Sequence, residues 1–369
     1  RSIWVTGVQT CALPISGGHL MPALAVAQAL TELPTPFEPV LVGAERGVEA
    51  RLLPERPFRF HLLPAEPVYR RQWWKNVRWP VAMYRLWSHL DRVFRTEQPK
   101  AVLGTGGYAS APVVWWAARQ GIPVAIQEQN AFPGLANRWL AGRVDEIYLG
   151  LPEARAHLKP RASAPVLDTG NPIKPPLLNP GTGPWQRFGL VPGQPALLVT
   201  GGSQGALGIN QAVEGWLARG LPSDLALIWV TGPGTYEQFR RHHAPPKVSV
   251  IPFLDPMSDG YAVSQLVVSR AGMITVAELC AWGLPSILIP LPTAAADHQT
   301  GNARAMAAAH AAVFVPQAEL TPERLADEVA LLLSNNVERQ RMAAAALTRG
   351  RPEAAREIAE RVASLAGKR

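Results

Sequence analysis

Two glycine-rich segments, each running directly into a stretch that can form a helix, constrain this chain more than any other feature. The first is SGGHLMPALAVAQAL, residues 16–30, and the second is TGGSQGALGINQAV, residues 200–213. Glycine lets the backbone turn sharply and approach a ligand closely, because it has no Cβ. The N-terminus of the following helix presents unpaired N–H groups and partial positive charge, which favour a phosphate. The two segments together predict two doubly wound α/β domains in one chain.

Short apolar runs alternate with helix-compatible segments along both halves of the chain. In the first half these runs are PVLVGA, AVLGTGG, PVAIQEQN and EIYLG, and in the second they are ALLVTGG, LALIWVTG, VSVIPFL, QLVVSRAG and PSILIPLP. Short all-apolar strands that alternate with helices are typical of a parallel sheet covered on both faces. A stretch dense in proline, glycine and asparagine, DTGNPIKPPLLNPGTGP, separates the two series and indicates a hinge.

The predicted fold is therefore α/β, with two Rossmann-like doubly wound parallel-sheet domains facing across a cleft. We place the first domain at residues 1–171 and the second at residues 172–349, and we expect a helix at about 350–369 to pack back on the first. Ligands of such sheets bind at the carboxyl ends of the strands, so each domain is expected to hold one substrate.

The first residues, RSIWVTGVQTCALPIS, fit this pattern poorly. Pro14 interrupts the apolar run directly before Gly17, and proline removes a hydrogen-bond donor from a strand. SIWVTG has the composition of a strand, but residues 8–16 then separate it from Gly17. We therefore expect residues 1–15 to be non-native and to replace an original first strand.

Composition limits the classes of protein that fit. The 369 residues include two cysteines, Cys11 and Cys280, which are too few for a zinc site or a disulfide framework and favour a reducing, cytoplasmic setting. No run approaches the roughly 18–20 apolar residues of a membrane span, so we expect neither a span nor a secretory signal. The net charge of +8 indicates an anionic partner: a phosphorylated substrate, a membrane surface or nucleic acid.

The second glycine-rich loop is the strongest candidate for a phosphate site. Gly201, Gly202 and Gly205 provide the turn, and Ser203 and Gln204 add hydrogen-bonding side chains. The alternative is a turn between strand and helix that holds no ligand.

A further cluster of polar residues follows the run QLVVS. Thr275 lies in the first turn of the next predicted helix and Glu278 lies one turn later, where a carboxylate suits the paired hydroxyls of a ribose; the alternative is a solvated helix glutamate. Beyond the next strand, four polar side chains suit the hydroxyls of a sugar: Asp297, His298, Gln299 and Asn302. The chain has no Asp-x-Asp pair of the kind that holds a divalent metal, so no metal site is predicted.

In the first domain the candidate residues lie in glycine-rich or polar turns. His19 follows Gly17 and Gly18; a histidine side chain titrates near neutral pH, so His19 is a candidate general base, and the alternative is a structural histidine. The loop GTGGYASAP is another glycine turn and contains Thr105, Gly106, Gly107, Tyr108 and Ser110. Glu128, in QEQN, is the other candidate base.

Basic and aromatic residues concentrate between residues 69 and 95. This segment holds six arginines and one lysine against one aspartate, and four of the twelve tryptophans. Tryptophan beside Lys and Arg is typical of a surface that rests on an anionic membrane. The residues concerned are Arg70, Arg71, Trp73, Trp74, Lys75, Arg78 and Trp79. Nucleic-acid binding is the competing interpretation, and it ranks lower because no second basic stripe or RNA-binding motif accompanies the segment.

Seven motifs occur in the order found in one enzyme family: SGGH, GTGGYASAP, QEQN, GNPIK, GGSQGALGIN, SRAGMITVAEL and DHQTGNA. Through them the chain, from about residue 16 to its C-terminal helix, closely resembles the MurG family of peptidoglycan glycosyltransferases. The resemblance implies the GT-B architecture and an inverting, metal-independent transfer without a cofactor. N-acetylglucosamine would pass from UDP-GlcNAc to the 4-hydroxyl of MurNAc in lipid I, undecaprenyl-pyrophosphoryl-MurNAc-pentapeptide, giving lipid II. It also implies a peripheral enzyme at the cytoplasmic face of the plasma membrane, with no nucleic-acid partner.

The resemblance also implies roles for individual residues. The donor would contact Asn130, Lys174, Ser203, Gln204, Leu254, Ile274, Thr275, Glu278, His298 and Gln299. Among these, Glu278 would bind the ribose, and the backbone near Leu254 the uracil. The acceptor would contact Gly17, Gly18, His19, Thr105, Gly106, Gly107 and Tyr108, with His19 and Glu128 as the catalytic candidates.

The chain departs from the family pattern at three places. PIS stands where the family has the first half of a fuller glycine loop before His19. Gln127 replaces a common histidine, and Lys174 stands where arginine is usual, keeping the charge without the bidentate geometry. Two alternatives remain: another GT-B enzyme that uses a UDP-sugar, such as a glycolipid transferase or a UDP-GlcNAc 2-epimerase, or a non-catalytic membrane-associated protein that binds a nucleotide sugar.

Overall fold

The computed structural model describes residues 2–6, 19–46, 49–65, 79–107, 110–177, 181–294 and 297–367; for residues 2–6, 79 and 80 the description covers the backbone only. The chain divides into two compact units, unit 1 comprising Arg1–Lys174 with Glu353–Arg369, and unit 2 comprising Pro175–Pro352. The first segment of unit 1 thus ends at Lys174, whereas the sequence predicted the domain boundary after residue 171.

Unit 1 is built around a parallel sheet of seven strands. The strands are β1 (Ser2–Thr6), β2 (Glu38–Ala44), β3 (Arg59–Leu63), β4 (Ala101–Gly104), β5 (Val124–Glu128), β6 (Glu146–Leu149) and β7 (Val166–Leu167). Their order across the sheet is β3-β2-β1-β4-β5-β6-β7, and the paired strands are all parallel. β4, β5 and β6 are buried along their whole length, which explains why their sequences show no polar alternation.

Helices cover both faces of this sheet. In the described ranges up to β6, these helices are α1 (Leu20–Thr31), α2 (Glu49–Leu52), α3 (Trp79–Glu97), α4 (Ser110–Arg119) and α5 (Leu135–Leu140). Successive strand residues point to opposite faces, so Val102 and Ile126 pack with α3 and α4 while Leu103 and Ala125 pack with α1. The α3–α4 contact is partly aromatic, because the Trp87 ring stacks on Trp116 with 5.4 Å between centroids.

The backbone of β1 lies in the interior of the unit 1 sheet, between β2 and β4. Thr6 lies opposite Val42 of β2 and Gly104 of β4. The structure therefore places SIWVT as the first strand, while Gly17, Gly18 and the residues from 7 onward that lead to them lie outside the described ranges. The non-native origin of residues 1–15 stays a prediction.

Unit 2 has the same type of architecture, built around a six-stranded parallel sheet. Its strands are β8 (Ala196–Thr200), β9 (Ala226–Val230), β10 (Val248–Ile251), β11 (Ser264–Ser269), β12 (Ser286–Leu288) and β13 (Val313–Phe314). Their order is β10-β9-β8-β11-β12-β13. The predicted pair of doubly wound α/β sheets is thus confirmed.

Among the described residues of unit 2, eight α-helices flank its sheet. They are α6 (Gly183–Arg187), α7 (Leu207–Arg219), α8 (Tyr236–Phe239), α9 (Ser258–Val263), α10 (Met273–Trp282), α11 (His298–Ala308), α12 (Pro322–Ser334) and α13 (Asn336–Arg349). The core includes the fully buried Trp229 and Phe239, whose ring centroids lie 5.0 Å apart. Asn210 of α7 accepts the Trp229 indole N–H at 2.9 Å, which satisfies the buried polar atom of that side chain.

The last helix, α14 (Ala354–Gly367), belongs to unit 1 and packs against α1. Its residues Ile358, Val362 and Leu365 are buried in the same apolar cluster as α1. The Arg361 Nε atom lies 2.9 Å from a carboxylate oxygen of Glu146, which is itself buried at the start of β6. A partly buried ion pair therefore adds to apolar packing in holding this helix on the sheet.

The order of strands reverses at one point in each sheet, between β1 and β4 in unit 1 and between β8 and β11 in unit 2. Open α/β sheets bind ligands at the carboxyl ends of their strands, beside such a reversal of strand order. Across the described residues no helix combines the length and the apolar character that a membrane span requires.

Candidate functional site

In unit 1 the candidate site lies beside the reversal of strand order. His19 directly precedes α1, and Thr105 directly follows β4. The Thr105 hydroxyl donates to the His19 carbonyl oxygen at 3.1 Å, and the His19 Nδ1 atom lies 3.2 Å from the Thr105 carbonyl oxygen. The structure thus joins two predicted site residues through both backbone and side chain.

Gln129 and Gly106 surround the same imidazole ring. The Gln129 side-chain nitrogen lies 3.1 Å from Nδ1 of His19 and donates to the Thr105 carbonyl oxygen at 3.0 Å. Gly106 has a φ of +106°, and a Cβ at this position would lie 2.8 Å from Nδ1. Both the backbone conformation and the close approach therefore require glycine here.

The surroundings of His19 suit a neutral imidazole. Burial lowers the pKa of His19 below 6.5, and the hydrogen bond to the Thr105 carbonyl opposes this shift. The Thr105 carbonyl oxygen can only accept and favours a proton on Nδ1, whereas the Gln129 amide nitrogen is a donor and favours a lone pair there. Within the described residues Nε2 makes no hydrogen bond. In the tautomer with the proton on Nδ1, the ring can accept a proton from a ligand at Nε2.

Glu128, the other candidate base, has a different environment. Its two oxygens accept from the backbone and side chain of Asn130 at 2.9 and 3.3 Å, from the Gly134 N–H at 3.0 Å and from the Asn137 amide at 2.8 Å. The carboxylate is 2% exposed. These contacts fix the loop between β5 and α5, and with it the position of Asn130, a predicted donor ligand.

Two buried side-chain amides, those of Gln127 and Asn171, bind each other next to this loop. The Gln127 side chain donates to Asn171 Oδ1 at 2.8 Å, and the Asn171 amide donates to the Gln129 carbonyl oxygen at 3.1 Å. Gly150 makes room for this arrangement, since a Cβ there would lie 2.4 Å from the Asn171 amide nitrogen. Asn171 and Gln129 were not predicted as site residues, although both lie in motifs of the sequence. Lys174, three positions after Asn171, is exposed.

In unit 2 the glycine-rich loop joins β8 to α7 and packs on the turn that follows β9. A Cβ at Gly205 would lie 2.1 Å from the Thr231 carbonyl oxygen, and one at Gly232 would lie 2.4 Å from the Gly205 Cα. Gly202 and Gly205 have φ of +82° and +76°, which side-chain-bearing residues rarely adopt. Glycines are therefore needed on both sides of this contact.

Ser203 and Gln204 lie at the tip of the same loop. Gln204 is exposed, whereas the Ser203 hydroxyl oxygen is shielded from solvent and has no hydrogen-bond partner among the described residues. A shielded hydroxyl without a partner costs free energy unless a ligand satisfies it. Ser203 therefore has the environment expected of a ligand-binding residue.

The N-terminus of α10 lies next to this loop in the topology, because β11 is the neighbour of β8. Gly272 precedes the helix and has no side chain to cap it. Ile274 and Thr275 lie in the first turn and are partly exposed. The unpaired N–H groups of this turn, together with the helix dipole, favour an anion.

Arg270, directly after β11, was not predicted from the sequence. It is 8% exposed, and its Nη1 atom donates to the carbonyl oxygens of Ile289 at 3.1 Å and Pro290 at 2.9 Å. Burial lowers the pKa of Arg270 to about 10, so the guanidinium remains charged at neutral pH. A buried positive charge thus lies two residues before the cap of α10, where a diphosphate would benefit from it.

Glu278, one turn into α10, accepts a hydrogen bond from the Tyr261 hydroxyl at 2.8 Å. Its side chain is partly exposed, as a ribose-binding carboxylate requires. Leu254, the predicted uracil neighbour, is 2% exposed and packs against Gly260 of α9.

The predicted sugar-binding residues occupy the start of α11. Gln299 accepts the backbone N–H of Leu291 at 2.9 Å, which leaves its amide nitrogen as a donor and fixes its orientation. Asn302 is fully buried and donates to the Ala271 carbonyl oxygen at 3.2 Å, so it connects α11 to the segment before α10. His298 is partly exposed.

Several predicted residues lie outside the described ranges: Gly17, Gly18, Arg70, Arg71, Trp73, Trp74, Lys75, Arg78 and Tyr108. For Trp79 the backbone alone is described, as the first residue of α3. Gly107 is described and has a φ of +88°. In the part of the chain that the structure covers, no group of three or more His, Cys, Asp or Glu side chains could hold a metal ion.

Comparison with known proteins identifies the family of the chain that contains these two half-sites. The model of the glycosyltransferase family 28 N-terminal domain matches residues 16–149, and that of the C-terminal domain matches residues 196–362. The UDP-N-acetylglucosamine--N-acetylmuramyl-(pentapeptide) pyrophosphoryl-undecaprenol N-acetylglucosamine transferase of Moorella thermoacetica is 38% identical over 353 residues, which is 93% of this chain and 95% of the relative. The chain belongs to the MurG family of glycosyltransferases.

Solved structures agree with this assignment. The crystal structure of MurG from Acinetobacter baumannii is similar over 98% of this chain and 99% of its own, with a TM-score of 0.76 and 25% identity. A UDP-N-acetylglucosamine 2-epimerase shares the fold, with a TM-score of 0.65 at 15% identity over 100% of this chain and 96% of its own. The resemblance to the MurG family drawn from the seven motifs is therefore confirmed, as is the prediction of a glycosyltransferase.

Proposed function

We propose that this chain transfers N-acetylglucosamine from UDP-GlcNAc to lipid I, giving lipid II for peptidoglycan synthesis. The observation that carries this proposal is the relationship to the Moorella thermoacetica transferase over nearly the whole chain. The two half-sites described above supply residues suited to the donor and to the acceptor.

Unit 2 holds the donor. Glu278 binds the ribose hydroxyls, and the backbone near Leu254 contacts the uracil. The N-terminus of α10 and the Ser203 hydroxyl bind the diphosphate, because both present hydrogen-bond donors toward the same side of the sheet. Gln204, His298 and Gln299 contact the sugar. Of the unit 1 residues, Asn130 and Lys174 complete the donor contacts.

Transfer does not need a divalent metal in this proposal. As UDP leaves, negative charge develops on its β-phosphate, and positively polarised groups must stabilise it. The N–H groups in the first turn of α10 and the buried guanidinium of Arg270 supply fixed positive charge next to the proposed position of the diphosphate.

Unit 1 holds the acceptor and the base. The glycine turn after β4, with Thr105, Gly106, Gly107 and Tyr108, contacts the lipid pyrophosphate, together with Gly17 and Gly18. His19 accepts the proton of the MurNAc 4-hydroxyl at Nε2 while its Nδ1 proton stays with the Thr105 carbonyl. The oxygen attacks the anomeric carbon from the face opposite UDP, so the configuration at that carbon inverts.

Glu128 acts indirectly in this scheme. Both of its oxygens bind donors of its own loop, so a proton transferred to it would have to replace one of those contacts. We therefore assign the proton transfer to His19 and give Glu128 the task of holding Asn130.

The acceptor is a membrane lipid, and we propose that residues 70–79 and the exposed side of α3 rest on the anionic cytoplasmic face of the plasma membrane. Val81 and Tyr84 of α3 are 58% and 75% exposed, and Arg85 and Arg95 are exposed on the same helix. Apolar and basic side chains together favour such a surface. Sedimentation with anionic vesicles tests this, since replacing Trp73, Trp74 and Trp79 by serine should reduce it; equal sedimentation would reject the surface.

The alternatives have less support. The likeness to the 2-epimerase extends to the fold alone. A non-catalytic protein that binds the nucleotide sugar would not need a histidine whose Nε2 is available as a base. Turnover separates this class of protein from the proposed enzyme.

Donor binding without a metal is the first experiment. With EDTA present, UDP-GlcNAc should raise the Tm of the wild-type chain, because ligand binding to the folded state stabilises it. Glu278→Gln should reduce this shift, whereas Glu328→Gln, which removes a carboxylate paired with Arg324 on α12, should keep it. No shift in the wild type, or a shift that appears only with a divalent metal, would contradict the proposed donor site.

A further inference from the structure

Tyr261 is a buried side chain whose hydroxyl contacts Glu278, the residue proposed to bind the ribose. It belongs to α9 and is 2% exposed, and its hydroxyl donates to Glu278 Oε2 at 2.8 Å. Glu278 belongs to α10, and β11 separates α9 from α10 in the sequence. The contact therefore joins two separate elements of unit 2 at the carboxylate.

The hydroxyl of Tyr261 is a permanent donor. Burial raises the pKa of Tyr261 well above 10, and the neighbouring Glu278 charge raises it further, so the phenol stays protonated at every pH of interest. A buried phenol needs a hydrogen-bond partner, and Glu278 is that partner. The Glu278 carboxylate is thus held in one orientation by a group that does not change its charge.

The ring of Tyr261 packs against a second aromatic ring. Trp282, four residues after Glu278 on α10, lies with its ring centroid 6.0 Å from that of Tyr261. Gly260, the preceding residue of α9, packs so closely that a Cβ there would lie 2.7 Å from a Leu254 side-chain carbon. The short helix α9 therefore contacts both the proposed ribose carboxylate and the side chain of Leu254, whose backbone is proposed to lie near the uracil.

The start of α9 is anchored as well. Arg187 of α6 forms an ion pair with Asp259 and donates to the Asp255 carbonyl oxygen at 2.8 Å. The segment from Leu254 to Tyr261 is thus held at both ends, which gives Tyr261 a rigid base from which to orient Glu278.

We propose that Tyr261 is a positioning residue that orients Glu278 toward the ribose and so makes the donor site select ribonucleotides over 2′-deoxyribonucleotides. The proposal rests on the proposed function, in which Glu278 binds the ribose. Fixing a carboxylate in advance lowers the entropic cost of forming its hydrogen bonds to the paired hydroxyls. The effect of Tyr261 should therefore depend on whether the 2′-hydroxyl is present.

The test compares the affinities of UDP and 2′-deoxy-UDP by titration calorimetry, with the full chain and EDTA present. The wild type should bind UDP about tenfold more tightly than 2′-deoxy-UDP, the size of one hydrogen bond to a charged group. Tyr261→Phe keeps the ring between α9 and Trp282 but removes the hydroxyl. It should weaken UDP binding by about three- to tenfold and leave 2′-deoxy-UDP binding nearly unchanged.

Tyr236→Phe, at the start of α8 on the apolar core of unit 2, is the matched control and should keep the wild-type ratio. Glu278→Gln tests the underlying site and should also reduce the ratio. A purely structural role of Tyr261 would weaken both nucleotides equally, and that result, or no change at all, would overturn the inference.

The outcomes separate the two claims. If Glu278→Gln lowers the ratio and Tyr261→Phe does not, the inference about Tyr261 is wrong and the ribose site stands. If the wild type binds neither nucleotide, or Glu278→Gln keeps the full wild-type ratio, the proposed donor site fails and the inference fails with it.

Discussion

The Nδ1 atom of His19 lies 3.2 Å from the carbonyl oxygen of Thr105, while the Thr105 hydroxyl donates to the His19 carbonyl oxygen at 3.1 Å. This double connection orients the imidazole at the point where the strand order of unit 1 reverses. In the tautomer that donates its Nδ1 proton to this carbonyl, the lone pair lies on Nε2. That tautomer is the form required of a general base.

Replacing His19 by glutamine should lower kcat by roughly 10²- to 10⁴-fold, the usual contribution of a general base. Burial lowers the pKa of His19 below 6.5, so the neutral, active form persists below that pH. Activity should therefore be lost only as the pH falls through this lowered pKa, which places the acid limb of kcat/KM below pH 6.5. A pH profile of wild type and variant checks this. An acid limb above pH 6.5, or one that survives unchanged in His19→Gln, would remove His19 from the proton transfer.

Gly106→Ala should damage the same site by a steric route. The new Cβ would lie 2.8 Å from His19 Nδ1 at a φ of +106°, so both the ring and the backbone must shift. A displacement of this kind at a catalytic group costs on the order of 10²-fold in turnover. Gly142→Ala is the control, because its Cβ meets nothing nearer than the Lys159 carbonyl oxygen at 3.5 Å. Equal kcat values for the two variants would show that the approach of Gly106 to His19 has no catalytic consequence.

Ser203→Ala should separate stability from donor binding. In the part of the chain that the structure describes, the Ser203 hydroxyl is shielded and without a partner, so its removal should leave the Tm of the free chain unchanged or slightly higher. Affinity for UDP-GlcNAc should fall roughly tenfold, because a hydrogen bond to a charged phosphate is lost. Ser334→Ala, at the exposed end of α12, serves as the control for both measurements. A lower Tm together with unchanged affinity would mean that Ser203 is structural.

Three of the four edge strands were not predicted from the sequence; the exception is β10. β4, β5 and β6 appear as uninterrupted apolar runs because both of their faces are covered, and such runs are recognisable without any partner. β3, β7 and β13 were not predicted, and all three lie at the edge of a sheet. β3 is only partly buried, and β7 and β13 are two residues long, so neither composition nor length distinguishes them from loops.

The glycine loops were predictable because their signal is local. A positive φ or a close backbone contact requires glycine, as at Gly106 and Gly205, and the glycine is visible in the sequence. Gln129, Arg270 and Tyr261 carry no such signal. Each acts through a residue or carbonyl group distant in the chain, and a buried tyrosine in a short helix has the same sequence pattern as an ordinary core aromatic. Their roles become visible only when the hydrogen bonds are known.

The most direct measurement is the formation of lipid II from lipid I and labelled UDP-GlcNAc by the purified chain in the presence of EDTA. It should be run beside a chain in which residues 1–15 are replaced by the first strand and glycine loop of the Moorella thermoacetica relative. The account predicts equimolar lipid II and UDP without added metal, inversion at the anomeric carbon, higher activity with the replaced N-terminus, and loss of activity in His19→Gln. Absence of transfer by both chains, or transfer that requires a divalent metal, would contradict it.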